Sequence, residues 1–225
     1  MENDRQKEIG NKKIRSYYET LLNITKAYVN GDTDMKRAKV LTTEEFSRSI
    51  KFCATTRYAL RNSTMLMMSY FVGLRVGEIS NLQYSDVLDE NNNVVDEFYL
   101  TADKTKGDEG RTIYLNSKVV KSLQAYIENY PSIKADKSDK LFFSQQRNGL
   151  SANSLTQWFH HFYKAVGIKG ATSHSGRRSF VTSLADKGIN VKVIAQLVGH
   201  KNISTTQKYI EVNDTMLKRA VQLVH

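Results

Sequence analysis

The stretch "LVGHKNISTTQKYI", residues 197–210, decides how the rest of the chain is read. An apolar run ends at Val198, Gly199 interrupts it, and His200 follows at once. Ser204, Thr205 and Thr206 then offer caps for a short helix carrying Tyr209. The chain has 12 tyrosines, so a half-buried aromatic at this position would be ordinary. Whether Tyr209 is placed to react depends on which polar groups the rest of the sequence brings to it.

Composition narrows the classes. A chain of 225 residues is long enough to bury a sizeable core as one large domain or two small ones. Lys and Arg outnumber Asp and Glu by 33 to 23, a net charge of +10 with a pI near 9.5. That excess favours a polyanionic partner, most economically nucleic acid, although a merely basic globular protein has the same balance. Cys53 is the only cysteine, which excludes an internal disulfide and a cysteine-cluster metal site and suits a reducing cytosol. No apolar run approaches the roughly 18 residues that span a bilayer, and "MENDRQKEIG" is unlike a secretory signal. The expected location is cytoplasmic.

Ile14, Tyr17, Leu21, Ile24 and Tyr28 fall on one helical stripe, so 11–29 reads as an amphipathic helix. "NGDTD" ends it, and "LTTEEF" opens another, capped by Thr42 or Thr43 with Glu45. The first 38 residues are too few for a core of their own, which places a boundary near residue 38. Helices are expected at 43–54, 58–72 and 75–82. A hairpin follows, with strands "VVDEFYLT" (94–101) and "RTIYL" flanking "KGDEG". Further helices are expected at 117–130, 152–166, 175–187, 190–198, 204–210 and 214–224. The fold class is α+β, mostly helical, with one small antiparallel sheet.

Several segments set charged or titratable groups beside apolar helix. In "YFVGLRVGEI" (70–79) Arg75 interrupts an apolar run and needs an anion or a carboxylate. Glu78, three residues on, can orient it, and a plain intrahelical ion pair would look the same. In "KTKGDEGRTIYL" (104–115) Lys106 stands where the first strand enters the turn, which also fits solvated edge protection. In "TSHSGRRSFVTSL" (172–184) His174 and Arg177 share a helix start, where imidazole and guanidinium would suit a phosphate, although H-x-x-R spacing alone is a weak signal. His160 and His161 in "QWFHHFYKAV" point apart on a helix, and Trp158 with Phe162 reads as core.

The ordered set Arg75, Lys106, His174-x-x-Arg177, His200, Tyr209 resembles the tyrosine recombinase/phage integrase family over about residues 39–215. "GLRVGEI" resembles the family's first arginine box, "TKGDEGRTIYL" its hairpin lysine and "HSGRRSF" its H-x-x-R box. "LVGHKNISTTQKYI" is similar to the closing box of integrases and Xer-type recombinases, almost residue for residue. Gly176 departs from the leucine that many members carry, which reads as a packing change. The family also has a helical core-binding domain before the catalytic one, and the segment 1–38 here is short for it. The division expected is therefore an N-terminal helical segment and linker, 1–38, and a catalytic domain, 39–225.

The resemblance implies a site-specific DNA recombinase that cleaves and rejoins strands through a 3′-phosphotyrosine. Tyr209 would be the nucleophile, and Arg75 and Arg177 would fork onto the non-bridging oxygens with His200 adding a hydrogen bond. Lys106 would be the acid for the leaving 5′-oxygen and His174 the base or proton shuttle near Tyr209. Glu78 would orient Arg75 without touching DNA. No carboxylate cluster suggests a two-metal site, so neither metal nor other cofactor is expected. Expected partners are double-stranded DNA, three further copies in a tetramer joined through the C-terminal segment (Met216, Ala220 and Leu223), and an accessory DNA-binding protein. A type IB topoisomerase-like nicking-closing enzyme and a non-cutting DNA-binding regulator remain as alternatives.

Overall fold

Caps and apolar spacing set the helices that frame the site. The computed structural model describes residues 38–105, 109–130, 136–146, 148–210 and 214–222, with the backbone alone at 215, 216 and 219. Helix α1 (Thr43–Cys53) starts at Thr42, whose hydroxyl accepts from the Glu45 N–H while the Glu45 carboxylate accepts from Thr42 N–H, both at 3.1 Å. Helix α2 (Ala59–Phe71) is central: Met65, Leu66 and Met68 are buried, and it packs against α1, α5 (Ser117–Asn129) and α7 (Ser175–Asp186). Helix α3 (Val76–Asn81) follows a turn at Gly73, whose φ of +72° suits glycine.

A one-turn helix α4 (Tyr84–Val87) was not among the expected elements. Asp86 accepts from Gln83 N–H at 2.8 Å, closing a capping pair that the polar "QYSD" leaves inconspicuous. The hairpin is shorter than its expected limits. Strands β1 (Glu97–Leu100) and β2 (Arg111–Tyr114) pair antiparallel, Phe98 opposite Ile113 and Leu100 opposite Arg111. Val94 and Val95 turn away to bond with Leu88 and Val87 at the end of α4. Phe98, Leu100 and Ile113 are buried, and the register puts Arg111 on their side of the sheet.

Helix α5 begins at Asn116, whose side chain accepts from the N–H groups of Lys118 and Val119. Helix α6 (Ala152–Val166) buries Leu155, Phe159, Phe162 and Tyr163, stacks Trp158 on Phe162, and leaves His160 and His161 exposed. Most of these side chains form one core. A smaller cluster joins Val181 and Ala185 of α7 to Ile194 and Val198 of α8 (Val191–Val198), with Tyr209 packed against it. Helix α7 packs on both α2 and α8, so it carries its polar N-terminus between the two clusters. Gly176 sits where α7 meets α2: a Cβ there would collide with the Ser69 hydroxyl, so the two backbones leave no room for a side chain.

The closing segment differs from its expected form. Helix α9 (Ile203–Gln207) is capped by Asn202, whose side chain accepts from Ser204 N–H at 2.9 Å, and Ser204–Thr206 lie inside it. It ends before Tyr209, which lies in the turn beyond, its N–H bonded to Thr206 O at 3.0 Å. Helix α10 (Asp214–Val221) follows. The stripe from Ile14 to Tyr28, Lys106 and Leu223 lie outside the described residues, as does the side chain of Met216. Among the described residues no helix is long and apolar enough to cross a membrane.

Candidate functional site

One buried carboxylate organises the site. Glu78 is 1% exposed and belongs to the first turn of α3, where it accepts from the Arg75 N–H at 2.8 Å. Arg75 is therefore the cap of α3 rather than a residue within it, and its Nη1 returns to Glu78 Oε1 at 2.8 Å. Arg111 reaches the same carboxylate from β2, Nη1 to Oε1 at 2.8 Å and Nη2 to Oε2 at 2.9 Å. Arg177 Nη1 lies 4.0 Å from Oε2. Burial pushes the Glu78 carboxyl up, but hydrogen bonding and charge from Arg111, with help from Arg75 and Arg177, outweigh it and hold the group below its ordinary value.

Three guanidiniums around one carboxylate leave an excess of two positive charges. Their remaining N–H groups are steered by backbone carbonyls. Arg177 donates to Gly73 O at 2.7 Å and Val198 O at 2.6 Å, and Arg75 to Gly199 O at 3.1 Å. Gly199 has φ +65° and a Cβ there would meet the Arg111 side chain at 3.0 Å, so glycine alone ends α8 this close to the cations. Burial, then the charge of Arg75, lowers the Arg177 guanidinium to about 9, which leaves it charged at neutral pH.

His200 follows Gly199, and its Nδ1 is 2.8 Å from the hydroxyl of buried Thr206. Burial, then Arg177, Arg75 and Arg111, press its imidazole down to about 4, so it is neutral at pH 7. The ring stacks on Tyr209 with centroids 6.1 Å apart and planes 19° apart. A cavity of about 190 Å³ is lined by Arg75, His174, Arg177, Arg178, Val181, His200, Thr205 and Tyr209. His174 stands at the residue before the first turn of α7, where its side chain makes no capping bond to the helix, and is exposed. A second groove of about 860 Å³ runs beside it, lined by Arg75, Arg111 and His200 together with Thr105 and Glu109–Gly110 from the two flanks of the hairpin turn.

The structure thus brings together five of the six residues singled out for chemistry, with Glu78 behind them; Lys106 lies outside the described residues. Sequence reading missed Arg111 and Arg178. Strand parity could have found Arg111, because it is two residues from buried Ile113 and shares its face. A pocket with excess guanidinium charge, neutral imidazole and a phenol can hold a phosphate through forked hydrogen bonds with a nucleophile beside it. Among the described residues no group of His, Cys, Asp or Glu is arranged to hold a metal ion.

The profile of the Phage integrase family matches residues 39–216. Tyrosine recombinase XerA of Pyrococcus furiosus is 32% identical over 187 residues, covering 82% of this chain and 61% of its own length. A crystal structure of XerA recombinase superposes with a TM-score of 0.67 at 28% identity, over 81% of this chain and 64% of that one. The Tn1549 transposon integrase, solved in complex with circular intermediate DNA, superposes with a TM-score of 0.67 at 22% identity, over 86% of this chain and 69% of that one. The chain spans about three fifths of the length of the XerA relative.

Proposed function

This chain belongs to the phage integrase family, and on that premise we propose that it is a tyrosine-type site-specific DNA recombinase. The observation that carries the reading is the sharing of Glu78 by three guanidiniums beside Tyr209. A buried cation excess is costly unless an anion completes it. A DNA phosphodiester has the charge and the forked acceptor geometry that do so, and the net charge of +10 favours duplex DNA as the partner.

In this mechanism the Tyr209 oxygen attacks phosphorus, the bond to the 5′-oxygen breaks, and a 3′-phosphotyrosine remains. Arg75 and Arg177 donate to the non-bridging oxygens, which gain charge in the five-coordinate transition state; one such donor is worth roughly 3–4 kcal/mol. Neutral His200 contributes a hydrogen bond from Nε2 when Thr206 donates its hydroxyl hydrogen to Nδ1, fixing the tautomer. His174 takes the phenolic proton and Lys106 protonates the leaving 5′-oxygen. The 5′-hydroxyl of a partner strand then reverses the step without ATP, since the covalent bond keeps the energy of the broken one. Arg111 contributes by holding Glu78, while its Nε donates to Leu197 O at 3.3 Å.

The unit that does this is the catalytic domain, 39–225, working in the cytoplasm. The α10 helix exposes Leu217 and Val221, at 55% and 69%, and this apolar face supports docking on a neighbouring copy within a tetramer on DNA. An accessory DNA-binding protein completes the assembly. The test pairs two target duplexes in one reaction and a supercoiled plasmid without a target in another. Exchange products from the first, with little relaxation of the second, are expected. Relaxation of any plasmid without exchange would replace the recombinase with a nicking-closing enzyme.

A further inference from the structure

Arg178 follows the arginine of the H-x-x-R box, lines the same cavity as Tyr209, and is used by none of the steps above. Its Cζ lies over the Tyr209 ring, 5.9 Å from the centroid. Its Nη1 donates to Ala38 O at 2.6 Å, and its Nε is buried with no hydrogen-bond partner among the described residues. Unlike Arg75, Arg111 and Arg177, it has no carboxylate within ion-pair distance among the described residues.

We propose that Arg178 is a positioning residue for Tyr209, holding the ring and tying it to the segment that enters the catalytic unit at Ala38. A guanidinium over an aromatic face is attracted by the ring quadrupole, and the attraction grows when the pair is desolvated. Here it adds to the packing of the ring on the cluster of Val181, Ala185, Ile194 and Val198. Tyr209 lies past the end of α9, held by its N–H to Thr206 O, by a long 3.4 Å bond from the Thr182 hydroxyl to its carbonyl, and by stacking on His200. A side chain on a turn has more freedom than one on a helix, so a second ring contact narrows the positions from which its oxygen can reach phosphorus.

The other end of Arg178 is equally fixed. Besides the Lys39–Glu45 ion pair, segment Ala38–Leu41 is stitched to the domain by three bonds: Arg178 Nη1 to Ala38 O, Lys39 N–H to Gly170 O at 3.2 Å, and Leu41 N–H to the Ser179 hydroxyl at 2.7 Å. Two of the three partners, Arg178 and Ser179, are neighbours on α7. One side chain therefore touches both the entry of the chain and the ring of the nucleophile, and displacement of residue 38 would be felt at Tyr209.

The kinetic half of this inference rests on Tyr209 being the nucleophile; the structural half does not, and the experiment separates them. The full chain is made with 3-fluorotyrosine at position 209, alone and with Arg178→Gln or Arg178→Lys, and the fluorine resonance is recorded without DNA. Single-turnover covalent capture on a nicked half-site is then followed over a range of DNA concentrations. The expected result for Arg178→Gln is a shifted or broadened fluorine resonance and capture slowed about threefold to tenfold at saturating DNA, with the half-saturating concentration within about twofold of wild type. Arg178→Lys, which keeps the cation, restores most of the capture rate. An unchanged resonance and saturated rate in Arg178→Gln would overturn the proposal. So would a loss confined to DNA affinity, which would make Arg178 a phosphate contact. A wild-type chain that forms no adduct would count against the nucleophile, and the resonance would still decide for or against Arg178.

Discussion

Arg111 and Glu78 meet through two parallel hydrogen bonds that occupy both oxygens of the carboxylate, joining the hairpin to the first turn of α3. The fork is 11% exposed on the arginine side and 1% on the glutamate side, so little solvent competes with it. Breaking a buried pair from one side leaves a charge without compensation. Arg111→Met should therefore lower stability by about 2 kcal/mol, less than for an isolated pair because Arg75 and Arg177 remain near Glu78. Arg111→Lys should recover only part of that, since an ammonium cannot reproduce the planar fork. Urea unfolding of the three proteins measures both effects, and a Lys variant equal to wild type would deny the fork any special part.

Glu78→Gln keeps the shape and removes the negative charge shared by three cations. The variant should melt below wild type in low salt, and added sulfate should raise its melting temperature more than that of wild type, because the anion supplies what the glutamine lacks. Equal shifts in the two proteins would mean that the pocket does not hold an uncompensated positive charge.

His200 gives stability a defined pH window. Its imidazole is lowered from 6.5 to about 4 in the folded chain, mainly by burial and then by Arg177, Arg75 and Arg111. Above pH 6.5 both states carry a neutral ring. Between 6.5 and about 4 the unfolded chain binds a proton that the folded site refuses, so stability falls as pH is lowered. Allowing for screening of a partly buried ring, the loss is about 1 kcal/mol. The depressed carboxyl of Glu78 acts lower, its contribution present above 4.5 and lost as pH falls through its folded value. Urea unfolding at pH 7 and pH 5 should show the loss in wild type and a flatter response in His200→Gln; parallel slopes would contradict it.

Much of this was legible because the chemistry leaves local signatures. Thr42 with Glu45 is a capping signal read within a few residues, and the start of α1 follows it. Arg75 interrupts an apolar run, His174 and Arg177 open a helix, and His200 with Tyr209 belongs to the 197–210 stretch, which made them conspicuous. Arg111 did not stand out because a charged residue opening an exposed hairpin strand is commonplace, and only register shows that it faces inward. Tyr209 was placed on a helix because Ser204, Thr205 and Thr206 all make good caps. Asn202 takes that role, and the helix ends sooner. Thr206 instead turns inward to His200, a pairing six residues apart that helix periodicity does not announce.

The measurement closest to the central claim is covalent capture on a nicked suicide substrate, comparing wild type with Tyr209→Phe. Only the hydroxyl is lost, while the ring can keep its contacts with His200 and Arg178. Wild type should yield a protein–DNA adduct that maps to Tyr209. The variant should bind the same DNA with affinity within about twofold and yield no adduct, because only the nucleophile has been removed. An adduct of wild-type yield from Tyr209→Phe would show that another residue attacks the phosphate.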